Sequence, residues 1–227
     1  MAREKTRKLV VLAVMAAIAV VVMWVGRIAI VPAAPFLKYD PKDVVILMAG
    51  FLFGPFSAFL VSLTVSLIEM FTVSESGIIG CVMNVLSTCA FVCPAAWLYK
   101  RNHTIRGAIF GLVVGILCMT GVMLLWNYFL TPIYMGIPRQ AVAAMLLPVF
   151  LPFNLLKGTI NATLTLLIYK PLVGALRKTR HFPGQGGLAS PPAGVAQASK
   201  INVGLVIVAA FVLVSCVVGI VLWQGVA

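Results

Sequence analysis

Apolar stretches of spanning length recur along these 227 residues, and that recurrence limits the possible folds more than any single motif does. The first runs from Leu9 to about Val31. It is too long for the hydrophobic part of a secretory signal and lacks a clear small-residue cleavage site. A hydrocarbon core about 30 Å thick is crossed by about 20 residues of helix, and lipid offers the backbone no hydrogen-bond partner. Runs of this kind must therefore close their own hydrogen bonds, and nothing here alternates as a barrel strand would. With 62% of residues hydrophobic and only 10% charged, a soluble domain is excluded. The expected class is an all-α integral membrane protein.

The punctuation divides the chain. A first helix is expected from about Lys8 to Val31, followed by an irregular external connection, PAAPFLKYDPKD, from Pro32 to Asp43. The next apolar run, Val44 to Phe53, is only half a bilayer long and is closed by Gly54 and Pro55. Further helices are expected from about Phe56 to Phe71, from Ile78 to Tyr99 with Pro94 inside, and from Gly107 to Leu130. After a second external loop, TPIYMGIPRQ, a sixth helix from Ala141 to Leu176 is interrupted by Pro148 and Pro152. Such interruptions at membrane depth are tolerated where backbone lines a cavity or packs on protein. Residues 183 to 200 are Gly, Pro, Ala and Ser with almost no charge, which reads as a flexible linker, and Ile201 to Trp223 is a seventh apolar run. The expected organisation is a six-helix domain over 1–180, a linker over 181–200 and an additional helix over 201–224.

The net charge of +12 is topology and not a nucleic-acid signal. Arg3, Lys5, Arg7 and Lys8 precede the first helix, Lys100, Arg101 and Arg106 occupy one loop, and Lys170, Arg177, Lys178 and Arg180 end a later helix. Clusters on alternate sides of the spans mark a cytoplasmic face and put the N-terminus there. Asp40, Asp43, Glu69 and Glu75, with Lys38, Lys42 and Arg139, fall on the other face. The five cysteines show no CxxC spacing, and His103 and His181 have no companions at metal-ligand spacing, so no metal site is expected.

Inside the sixth helix, Asn154, Lys157 and Asn161 fall at i, i+3 and i+7 and share one face. A lysine at the centre of a span costs about 2.5 to 3.5 kcal/mol on insertion scales and persists only where a partner or a wet cavity compensates. One reading is a set of interhelical hydrogen bonds holding the bundle together. The other is the wall of a cavity for a polar solute.

LKYDPKDVVILMAGFLFGP, residues 37 to 55, resembles the first external loop and second helix of the riboflavin-binding S components of energy-coupling factor (ECF) vitamin transporters, the RibU family. The likeness continues through Gly77-Ile-Ile-Gly80 with Asn84, through Trp126-Asn127-Tyr128-Phe129, and through the Asn154–Gly158 run, covering about residues 5 to 180. The resemblance implies a six-helix bundle holding riboflavin in its extracellular half as a transported ligand, with no cofactor. Asn127, Asn154 and Lys157 would contact the vitamin, with Asn84 nearby and Glu75 as the nearest acidic contact. Leu37, Lys38, Tyr39 and Asp40 would form a lid. It also implies that Ala13 and Ala17, a small-xxx-small pair with Ala16 and Ala19 beside it, dock the scaffold subunit EcfT, while two EcfA-type ATPases supply the energy in a bacterial plasma membrane. The chain's lack of a GxxxxGK[ST] sequence fits that division of labour.

The chemistry of the ligand agrees. The isoalloxazine plate has a uracil-like edge that donates and accepts, which Asn can match, and Lys can donate to its carbonyl and nitrogen acceptors. Thr131, Glu75 or Asp40 would suit the ribityl hydroxyls, and Phe36, Tyr39, Trp126, Tyr128 and Phe129 offer apolar surface. Tyr128 and Phe129 are equally explained as an interfacial belt. Two other readings stand beside this one. The same architecture could carry pantothenate, folate or thiamine, or Glu69 and Arg27 could serve a membrane enzyme. Both charges are expected near external helix ends within reach of water, and no second carboxylate or nucleophile completes a mechanism.

Overall fold

The computed structural model describes residues 2–31, 34, 36–74 and 76–178. The expected linker and seventh helix lie outside the described residues, as does Glu75.

The first helix, α1, is Ala2–Gly26. It ends earlier than its apolar run suggests, because Ile28–Ala29 (β1) leaves the helix to pair antiparallel with Lys38–Tyr39 (β2). Ile28 faces Tyr39 and Ala29 faces Lys38 in this short ribbon. The connection expected to be irregular thus carries a small hairpin, and it ends sooner, since helix α2 starts at Lys42 and runs to Phe53. Pro41 fixes the turn into that helix, and a carboxylate in its first turn, Asp43, suits the positive end of the helix dipole.

At 12 residues α2 is about 18 Å long, far short of a bilayer. It sits in the middle of the bundle, against α1, α3 (Pro55–Thr72), α4 (Gly77–Arg101) and α7 (Leu151–Lys178). Ile46, Leu47 and Ala49 are fully buried, so this element is apolar on nearly every side. Gly54 joins α2 to α3 at φ 91°, a conformation only glycine adopts cheaply, and Pro55 then opens α3 with a pre-set φ.

Helix α5, Ile105–Met135, begins on a cap in which the Thr104 hydroxyl accepts from Gly107 N at 3.0 Å. It runs five residues beyond the expected end at Leu130, through Pro132, and stops at the left-handed Gly136. Most of the expected second loop is therefore helix. Gly111 and Gly115 on α5 face α4 closely; a Cβ at Gly115 would stand 2.3 Å from the carbonyl oxygen of Phe91. Small residues at this spacing bring two helix backbones together.

The interrupted sixth helix is a rod of three pieces: α6 (Arg139–Met145), a π turn (Leu146–Phe150) containing Pro148, and α7. The proline is absorbed by widening the helix and not by breaking it. Five helical stretches, 3–26, 55–72, 77–101, 105–135 and 139–169, are long and apolar enough to cross a membrane among the described residues. One end of the bundle carries Lys8, close to Phe53, and Arg101, stacked on Trp97. At this basic end Phe51, Tyr99 and Tyr169 close the axis, with the two tyrosine hydroxyls hydrogen-bonded to each other.

Candidate functional site

The opposite end holds a cleft of about 810 Å³, open mouth included. Its roof is the loop Phe36, Leu37, Lys38 and Asp40, set by the hairpin. Its walls come from α4 (Met83, Asn84, Ser87), α5 (Met123, Asn127, Tyr134) and α7 (Phe153, Asn154, Lys157), with Arg27 and Glu69 completing the rim. The lining is mixed: Phe36, Leu37, Met83, Met123 and Phe153 offer apolar surface among a majority of polar and charged side chains that converge on one concave site.

The amides are held in place by their own helices. Asn127 Nδ2 donates to Met123 O at 2.7 Å while Thr131 Oγ1 donates to Asn127 Oδ1 at 2.9 Å. Asn154 Nδ2 donates to Phe150 O at 2.8 Å, at the end of the π turn, where irregular helix commonly shapes functional sites.

Below the roof lies a buried polar network. Asp43, fully enclosed, accepts from Thr88 Oγ1 at 2.7 Å and from Asn161 Nδ2 at 3.4 Å, and stands 3.5 Å from Lys157 Nζ. Tyr39 donates from its hydroxyl to Asn161 Oδ1 at 2.9 Å. Lys42, also fully enclosed, binds Glu69 and lies 3.7 Å from Asp40. Arg27 reaches Glu69 at 3.5 Å. Acidic Asp40, Asp43 and Glu69 thus meet basic Arg27, Lys42 and Lys157, which is how charges survive at such depth. Burial pushes the Tyr39 hydroxyl well above its ordinary value, reinforced by the charges of Asp43 and Asp40. For Asp40, burial works toward a higher value but is outweighed by Lys42, Lys157, Arg27 and a backbone hydrogen bond, so its carboxyl lies below the usual range.

Residues 7–169 match the family described as ECF transporter, substrate-specific component. The chain belongs to this family. The S component's solved relatives include the S component of a bacterial ECF transporter, 28% identical, with a TM-score of 0.65 over 76% of this chain and 99% of that one. Curated relatives include the riboflavin transporter RibU of Streptococcus thermophilus, 31% identical over 76% of this chain and 86% of the relative. RibU of Staphylococcus aureus is 30% identical over 77% and 95%, and the riboflavin transporter FmnP of Bacillus subtilis 29% over 73% and 91%. The chain is accordingly a multi-pass membrane transport component and not an enzyme, the substrate-specific partner of an ECF module.

Of the residues expected around a ligand, Asn127, Asn154, Lys157, Leu37, Lys38, Asp40 and Asn84 line this S component's cleft together. Tyr39 does not; it points inward to Asn161. Trp126 packs toward the core, while Tyr128 and Phe129 meet edge to face, with Arg139 over the Tyr128 ring, and neither lines the cleft. Ala13 and Ala17 are exposed on the outer face of α1, while Ala16 and Ala19 are buried against the core. Glu69 corrects an expectation: it is 1% exposed and paired to Lys42, not snorkelling to water, because α2 starts deep in the bundle and brings Lys42 to that level. Lys42 and Asp43, expected in an external loop, are likewise interior. Opposite charges embedded beside an apolar run were the available signal for this network.

Proposed function

We propose that this chain is the riboflavin-capturing S subunit of an ECF importer in a bacterial plasma membrane. Its N-terminus and basic end face the cytoplasm, and its cleft opens outward. The observation carrying this reading is the convergence of Asn84, Asn127, Asn154 and Lys157 from three helices beneath the Leu37–Asp40 loop, in a chain whose curated relatives are named riboflavin transporters. The amides of Asn127 and Asn154 and the Lys157 ammonium meet the donating and accepting edge of the isoalloxazine, while Leu37, Met123 and Phe153 cover its faces. Delivery follows docking of the Ala13/Ala17 face on EcfT, driven by two EcfA-type ATPases.

The test is the visible spectrum of the detergent-purified protein, followed by titration with riboflavin. Co-purifying flavin bands, or quenched fluorescence saturating at one ligand per chain, support the reading. A colourless protein that leaves riboflavin fluorescence unchanged overturns it.

A further inference from the structure

The basic end of the bundle carries its charge almost without countercharge. Lys5, Lys8, Lys100, Arg101 and Arg106 are all exposed. Among the described carboxylates, Asp40, Asp43 and Glu69 belong to the buried network near the cleft, and Glu4, in the first turn of α1, alone shares the basic end.

Two of these cations meet at the joint between α2 and α3, and a third stands beside one of them. The Lys8 ammonium, from α1, lies 5.7 Å from the centre of the Phe53 ring. The Lys100 stem, from α4, reaches Gly54, where a Cβ would stand 4.0 Å from Lys100 Cδ. Next to Lys100, the Arg101 guanidinium is stacked 3.7 Å from the centre of the Trp97 ring. Stacking engages the flat face of a guanidinium and leaves its N–H edge able to donate to an anion.

Immediately past the joint the surface turns apolar. Phe56 is 70% exposed and Phe59 38%, their rings 6.5 Å apart, and Trp97 is 46% exposed one helix away. These rings sit on spanning helices, where exposed side chains face hydrocarbon and Trp marks the headgroup level. Cations beside exposed rings select an amphiphile, an anionic group joined to acyl chains. A soluble phosphate or an acidic protein would meet the charges and leave the rings uncovered.

We propose that Lys8, Lys100 and Arg101, with Trp97 and Phe56, form a site for one anionic phospholipid of the leaflet at the basic end. Its phosphate lies against the three cations and an acyl chain runs along the start of α3. The lipid ties the ends of α1, α3 and α4 together. This site is independent of the riboflavin reading and needs only that the helices span a membrane.

The test is thermal melting of the full chain in dodecyl maltoside, titrated with dioleoyl phosphatidylglycerol or dioleoyl phosphatidylcholine. Phosphatidylglycerol raises the Tm saturably, phosphatidylcholine does so far less, and added salt weakens the response. Lys8→Gln, Lys100→Gln and Arg101→Gln each raise the half-saturating phosphatidylglycerol concentration about fivefold, whereas Arg106→Gln, at the same end but outside the cluster, changes it by less than about twofold. The lipid-free Tm of each variant stays within about 2 °C of the parent, since the side chains are exposed, and this reports an intact fold. Equal stabilisation by the two lipids overturns the site. So does a triple variant that keeps the full response, or a loss at Arg106→Gln as large as at the cluster, which would make the attraction diffuse. Glycerol 3-phosphate reproducing the shift at the same concentration overturns the lipid in favour of a free anion.

Discussion

The hydroxyl of Tyr39, in the roof loop, donates to Asn161 Oδ1 at 2.9 Å, in the middle of α7. This bond crosses from the hairpin to the buried polar network and passes the hold on to Asp43, which Asn161 also contacts. Tyr39→Phe keeps the ring and loses the tether. It is expected to speed riboflavin release about fivefold with little change in association, a loss of about 1 kcal/mol. Stopped-flow fluorescence separates the two rates; an unchanged release rate removes the tether from the account.

Asp43 should be the least replaceable carboxylate. Asp43→Asn leaves Lys157 buried without its countercharge, which costs about 3–5 kcal/mol. Adding Lys157→Met to that variant removes the stranded charge and should recover part of the lost Tm, although not ligand binding. Thermal melts of the two single variants and the double variant supply the cycle, and simple additivity would mean that the 3.5 Å pair is not coupled.

The pH response follows from the roof. The Asp40 carboxyl lies below its ordinary 3.8, so its ion pairs add stability above that value and lose it as pH falls through the lower folded value. Thermal stability and riboflavin affinity should hold from pH 7 to pH 5 on this account, with the Asp40 contribution failing only below about pH 4. Tyr39 acts at the other extreme: its hydroxyl is raised above 10.0, so the stability it lends is complete below that pH and declines above it. A midpoint near pH 6 in either property would contradict the Asp40 assignment.

The α4–α5 contact gives a prediction independent of ligand. Gly115→Ala drives a methyl group to 2.3 Å from Phe91 O and should destabilise by about 1–3 kcal/mol. Gly121→Ala, with nothing within 4 Å, should be neutral or gain up to about 1 kcal/mol of helix propensity. Comparing their melting temperatures decides whether close backbone approach holds these helices.

On the outer surface, Ala13→Leu with Ala17→Leu enlarges a face that is exposed among the described residues. Riboflavin affinity should stay within about twofold, while uptake by cells carrying the ECF module falls to background. Normal uptake would move the docking face elsewhere.

Helix spans and their order were legible because lipid imposes one rule on every residue of a span: be apolar or be compensated. The half-length of α2 was readable for the same reason. Asn154 and Lys157 stood out as uncompensated polar residues at helical spacing, and the structure brings both to one cleft. Lys42 and Glu69 were not legible as a pair. Each lies near the end of an apolar run, where a charge ordinarily reaches water, and only the depth of the α2 start decides otherwise. The hairpin was missed because two residues per strand carry no periodicity. The extension of α5 through Pro132 was missed because a proline reads as a stop unless neighbouring packing supports the freed carbonyl.

Among the described residues, the packed core and the edge-to-face cluster of Phe51, Tyr99 and Tyr169 at the basic end give the cleft a closed bottom. Water and ions that fill the cleft meet aromatic rings and a closed pair of hydroxyls before they reach the far side. A closed bottom of this kind lets an empty copy sit in a membrane without offering ions a water-filled path between the described helices. The cost of holding receptors ready for a scarce nutrient is then only that of making them.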